Sequence, residues 1–95
     1  MKWIEIITLR HFTTALDRFD NNLIPSLKAK CGNGGLMDVR VFRHESIKTD
    51  LSIHFHWDSA KASSTGSNEA HHIIQLLKEY GLVNHSVWVE ESSLE

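Results

Sequence analysis

The run Leu51-Ser52-Ile53-His54-Phe55-His56-Trp57-Asp58 alternates large apolar residues with Ser, His, His and Asp without a break. A period of two over eight residues is that of a β-strand with one face against a core. The odd-numbered residues of the run face inward. The even-numbered ones share the other face, where His54 and His56 lie about 7 Å apart along the strand. This face is the one concentration of chemically able side chains that the strand patterning singles out.

The other elements are read from the same patterning. Trp3 to His11 is rich in Ile and Thr, lacks Gly and Pro, and reads as a first strand. Thr14 and Asp17 stand in a partial capping-box relation, and Leu16, Phe19, Leu23 and Leu27 recur at near-helical spacing, which predicts a helix. Pro25 interrupts that stripe and predicts a kink near Asn21-Asn22, or a second short helix with Pro25 in its first turn. Cys31-Gly32-Asn33-Gly34-Gly35 ends the helix. It precedes a strand rather than following one and no Gly-Lys-Ser/Thr comes after it, so it is not a phosphate-binding loop.

Leu36 to Arg43 is predicted as a second strand, with Met37, Val39 and Val41 inward and Asp38, Arg40, Phe42 and His44 outward. Glu45 to Asp50 returns the chain as a hairpin. Opposed residues of an antiparallel pair share a face, so Val39 and Val41 line up with Leu51, Ile53 and Phe55. Ser67 or Gly66 caps a second helix in which Ala70, Ile73, Ile74, Leu77 and Tyr80 form the apolar stripe, and Gly81 is expected to stop it. Val83 to Glu90 is a last strand, with Val87 and Val89 inward and Ser86, Trp88 and Glu90 outward. For the first strand, the cost of a lone buried carboxylate turns Glu5 outward and Ile4, Ile6 and Thr8 toward the helices, against the tendency of Trp3, Ile7 and Leu9.

The order strand, helix, strand, strand, helix, strand is the ferredoxin-like βαββαβ arrangement of an α+β fold, with a four-stranded antiparallel sheet and two helices on one face. The opposite sheet face is left uncovered. Ninety-five residues, 41% hydrophobic and 23% charged, fit one domain spanning residues 1–91, with 92–95 as a frayed tail. A single cysteine excludes an intrachain disulfide, and no stretch has the apolar length to span a bilayer or the pattern of a signal peptide. A cytoplasmic protein is the expectation. The net charge is −2 and the basic residues form no stripe, which argues against nucleic acid and membrane as partners. Seven protonated histidines added to −2 give +5, so behaviour below pH ~6 is expected to differ from that at neutrality.

With this element order, and with Phe42 and Trp88 on the uncovered face, the chain resembles the dimeric α+β barrel group, which includes the antibiotic-biosynthesis monooxygenase-like proteins and small stress-responsive barrels. The segment Phe55-His56-Trp57-Asp58-Ser59-Ala60 is similar to the aromatic strand end and polar turn that such proteins place before the second helix. The resemblance implies two sheets packed face to face across a twofold axis and a small-molecule cavity between sheet and helices. The haem-degrading members use an Asn on the first strand, where this chain reads Thr8-Leu9-Arg10. An RNA-recognition domain would interleave aromatic and basic residues where this chain has His54 and His56, and a metallochaperone of this topology would need a second cysteine.

The candidate ligand-binding residues are Arg40, His54, His56, Trp57, His72 and Trp88. His54 and His56 have the spacing of a metal-binding His-x-His pair, with His44 or Asp58 in reach, although alternating histidines more often line a dimer interior. Arg40 suits an anionic ligand through its forked donors, or an ion pair with Asp38, Asp58 or Glu5. His72 flanks the predicted helix stripe and His71 faces water. Cys31 has no neighbouring base. The function expected is a homodimer that binds a small organic molecule and holds no tight cofactor. A cofactor-independent monooxygenase or isomerase is the first alternative and a His-based metal-responsive module the second.

Overall fold

The structure is a computed structural model that describes residues 1–11, 25–29 and 34–94. Its elements are β1 (Lys2–His11), a helical segment α1 at 25–29, β2 (Leu36–Arg43), β3 (Asp50–Asp58), α2 (Asn68–Leu77) and β4 (Gly81–Val89). The four strands form one antiparallel sheet in the order β2-β3-β1-β4. This is the ferredoxin-like α+β arrangement expected from the sequence. The stripe Leu16, Phe19 and Leu23, the kink and Cys31 lie outside the described residues. Leu27 is described, and it is buried in the common core.

Register fixes which side chains share a face. Val39 pairs with Phe55, Val41 with Ile53 and Arg40 with His54, as parity requires. Across the sheet, one inner row runs Val39, Phe55, Glu5, Val87 and the next runs Val41, Ile53, Ile7, His85. On this side lie Trp3, Ile7, Leu9, Ile53, Phe55 and Trp57, all buried against Leu27 and against Ala70, Ile73 and Leu77 of α2. Trp3 stacks on Trp57 with ring centroids 5.2 Å apart and planes within 11°.

Four expectations are corrected. Glu5 faces the helices and is fully buried, while Ile4, Ile6 and Thr8 share the open face. The alternation of Trp3, Ile7 and Leu9 sets the strand's facing, and donors supplied from distant segments make the buried carboxylate tolerable. Met37 is 64% exposed, because a bulge between Leu36 and Asp38 places Leu36, not Met37, opposite Trp57. Gly81 opens β4. The helix ends four residues earlier, at Leu77, with the Lys78 amide donating to the Ile74 carbonyl at 3.1 Å. His72 does not flank the buried stripe: two residues past Ala70 is more than half a turn around the helix, and His71, exposed as expected, is the one whose ring also meets His85 of the sheet.

Two local devices set the strand entry and the helix start. Gly35, at φ +91°, leads into β2 so close to β3 that a Cβ would stand 2.6 Å from the Asp58 carbonyl oxygen. Ser67, in extended conformation, caps α2 by accepting from the Ala70 amide at 3.1 Å.

Candidate functional site

The open face and the helix-covered face each hold a group of polar side chains, and the six sequence candidates divide between them. On the open face the rows run Asp38, His56, Ile4, Trp88 and then Arg40, His54, Ile6, Ser86, with Phe42, Ser52, Thr8, Asn84 beyond them. Arg40, His54, His56 and Trp88 therefore lie within two adjacent rows. Arg40 is engaged by Asp38, with Nε 2.7 Å from Oδ2. That guanidinium holds the Asp38 carboxyl below its usual range, first through this hydrogen bond. His54 bonds Ser52 Oγ at 2.8 Å and leans on Phe42 at a ring distance of 4.7 Å. Burial lowers the His54 pKa, and the charge of His56 lowers it further. Trp88 is 58% exposed and donates its indole N–H to Ser86 Oγ at 2.8 Å.

Among the described residues, clefts open at both ends of this face. One, of about 430 Å³, lies at the hairpin end and is lined by Thr8, Arg10, Phe42, His44 and Leu82 among others. The other, of about 380 Å³, lies at the opposite end and brings His56 and Trp88 together with Lys2 and Ile4. His44, expected near His54 and His56, instead serves the hairpin: its Nδ1 accepts from the Ser46 and Ile47 amides at 3.1 and 3.0 Å. The His54 and His56 rings are 6.4 Å apart, and among the described residues no group of three or more His, Cys, Asp or Glu is placed to hold a metal ion.

Trp57 belongs to the other group. Its indole N–H donates to Glu5 Oε2 at 2.9 Å. The same carboxylate accepts from the Ser67 amide at 2.6 Å, from the Ser67 hydroxyl at 2.5 Å, and from His85 Nε2 at 3.1 Å. Ser67 can serve both sides because its oxygen accepts from Ala70 while its hydrogen goes to Glu5. Gly66, at φ +94°, passes so close that a Cβ would run into the His85 ring and the Glu5 carboxylate. His71 meets His85 edge to face at a ring distance of 6.0 Å. Four donor groups thus converge on one buried carboxylate from β3, the α2 cap and β4.

This group went unread in the sequence, although a signal was present. Glu5 is the acidic residue at core parity on β1, His85 is the polar residue at core parity on β4, and Trp57 is at core parity on β3. Sequence reading placed His72 near a pocket; the structure leaves it exposed on α2.

No family model matches the sequence, and no curated protein matches it. Solved structures share its fold over nearly the whole chain. A Deinococcus radiodurans protein assigned as an antibiotic biosynthesis monooxygenase superposes with a TM-score of 0.74 at 18% identity, covering 98% of this chain and 96% of its own. SnoaB, a cofactor-independent oxygenase from Streptomyces nogalater, gives 0.72 at 10% identity, with coverage of 98% and 96%. A dimeric ferredoxin-like protein from an uncultured marine organism gives 0.62 at 14% identity, with coverage of 99% and 93%. The fold is therefore that of the monooxygenase-like and dimeric ferredoxin-like proteins, and at these identities the fold is what is shared.

Proposed function

We propose that this chain forms a homodimer through the open sheet face and binds a small organic molecule there. The observation that carries the reading is the composition of that face: Ile4 and Ile6 run down its centre, and Phe42, Leu82 and Trp88 stand 47%, 61% and 58% exposed around them. A chain this small rarely leaves such a surface to water, and a twofold contact lets one patch cover itself. The fold is also one that dimeric ferredoxin-like proteins adopt. The cleft holding His56 and Trp88 offers an indole face and Ile4 for an apolar body, with an imidazole and Lys2 for a polar end. Arg40, tied to Asp38, and His54, tied to Ser52, shape the polar floor between the clefts.

Light scattering across a dilution series at pH 7.5, with native mass spectrometry of freshly purified protein, tests this. A dimer weakened by Trp88→Ala and carrying a retained small mass supports it, and a concentration-independent monomer overturns it.

A second reading, a cofactor-independent oxygenase or isomerase, is favoured by one separate observation. The pairing of Glu5 with His85 on the helix side is an arrangement suited to moving protons.

A further inference from the structure

The Glu5 cluster is more than a solution to a buried charge. A carboxylate accepts hydrogen bonds, so the imidazole nitrogen 3.1 Å from Glu5 Oε1 is the protonated one. That assigns His85 the Nε2–H tautomer and leaves the lone pair on Nδ1. Among the described residues no hydrogen bond reaches Nδ1. Glu5 is fully buried, whereas the His85 side chain keeps 17% of its surface. The pair therefore runs from a sealed carboxylate to an imidazole in contact with solvent.

Three further groups hold that geometry. Trp57 and Ser67 fix the carboxylate from two directions. Gly66 leaves the space that the imidazole and carboxylate occupy, since any larger residue would displace them. A carboxylate that fixes an imidazole's tautomer and then faces the imidazolium once it forms is the means by which a histidine becomes an effective base.

We propose that His85 is a proton-accepting catalytic residue for a weakly acidic small molecule, an enolisable ketone or a phenol, and that Glu5 is its positioning residue. In the step, Nδ1 takes the proton from the substrate C–H or O–H. The bonding pair stays on the substrate as an enolate or phenolate, and the imidazolium is balanced by Glu5. Return of the proton to another substrate atom completes an isomerisation, with no oxidant consumed. Among the described residues, the titratable groups in contact with His85 are Glu5 from β1 and His71 from α2. The proposal rests on the oxygenase-or-isomerase reading, whose base and substrate class it names, and is independent of the open-face reading, because its residues lie on the other side of the sheet.

The test has two arms on the full chain. Long-range ¹H–¹⁵N correlation spectra of ¹⁵N-histidine protein report the tautomer: Nε2–H at His85 is expected, changing to a mixture in Glu5→Gln. The second arm uses 5-nitrobenzisoxazole, whose ring opens when a base removes its carbon-bound proton, the C–H pair forming the nitrile as the N–O bond breaks to a phenolate. Turnover at least roughly tenfold above that of His85→Gln is expected; this variant keeps a donor for Glu5 and so preserves the fold. An Nδ1–H tautomer removes the positioning role, and equal turnover in wild type and His85→Gln overturns the base. Should Glu5→Gln fail to fold, the wild-type tautomer and the His85→Gln comparison decide. Failure here leaves the dimer intact, and a monomer in light scattering leaves this result intact.

Discussion

The two faces of the sheet solve the same problem, polar residues on a strand, in opposite ways. On the open face, His54, His56, Arg40 and Asp38 keep at least part of their surface in water, and their contacts are with immediate neighbours in register. On the helix-covered face, Glu5 has no surface left, and its four donor groups come from residues 52 to 80 positions away in sequence. Water is a cheap partner and a forgiving one. A buried carboxylate must be matched group by group, and each missing donor leaves either it or the donor unsatisfied. The helix face is therefore expected to be intolerant of change at polar as well as apolar positions, and the open face tolerant of both within a single chain.

The largest effect is expected at adjacent residues of β3. Ile53 is fully buried, so Ile53→Asp places a charge under the helices with nothing to pair it, and loss of the folded state is expected. His54→Ser keeps a small polar group beside water and is expected to cost less than about 1 kcal/mol. Urea unfolding monitored by circular dichroism distinguishes them. Similar losses at the two positions would break the assignment of faces.

The same contrast holds for the two carboxylates. Glu5→Ala strands the Trp57 indole, the Ser67 cap and His85, and about 3–5 kcal/mol of destabilisation is expected, in line with breaking one side of a buried pair. Arg40→Ala releases Asp38 into water, where an exposed ion pair contributes about 0–1 kcal/mol, and added salt should shrink that further. Denaturant midpoints at low and high salt measure both. A Glu5→Ala protein as stable as Arg40→Ala would mean that the network contributes nothing to folding.

Legibility in the sequence divides along the same line. The parity of β2 against β3 was legible because it is a local property: Leu51 to Asp58 alternates cleanly and a short hairpin fixes the pairing. The β2 and β3 part of the open face was legible for the same reason, and Arg40 falls opposite His54 as parity required. The facing of β1 was not, because a correct cost for a lone carboxylate was applied to one that is not alone. Its partners Trp57, Ser67 and His85 are brought together only by the tertiary fold. Met37 was missed because a bulge shifts register without any Gly or Pro to announce it. His71 and His72 adjoin in sequence, and which of them meets the sheet depends on the phase of α2, set by Ala70, Ile73 and Leu77.

A smaller effect sharpens the account of the buried network. Gly66→Ala adds one methyl group at a positive φ, where it meets the His85 ring and the Glu5 carboxylate. A cost of about 1–3 kcal/mol is expected. Displacement of the His85 ring should also alter its ¹⁵N signature. Gly34→Ala is the control, since it too has a positive φ but a Cβ there meets nothing within 4 Å. Equal losses at the two glycines would reduce the Gly66 effect to backbone strain alone.

The smallest effect belongs to the open face and is read through pH. Burial, and after it the charge of His56, depresses the pKa of His54 in the folded protein below its ordinary value near 6.5. The unfolded chain therefore binds the proton more readily, so stability rises with pH across the interval between the lowered folded value and 6.5. Above that interval His54 contributes no pH dependence. As pH falls through it, the folded state loses ground, and the loss levels off once both states are protonated. His54→Gln is expected to leave stability at pH 7.5 almost unchanged and to make the decline toward pH 5.5 shallower. If the open face also joins two copies, the same charging opposes association, so a dimer should loosen at pH 5.5 in wild type and less so in His54→Gln. Urea midpoints and light scattering at the two pH values measure the two consequences separately. An identical slope in the variant and the wild type would show that His54 is not the source of the acid sensitivity.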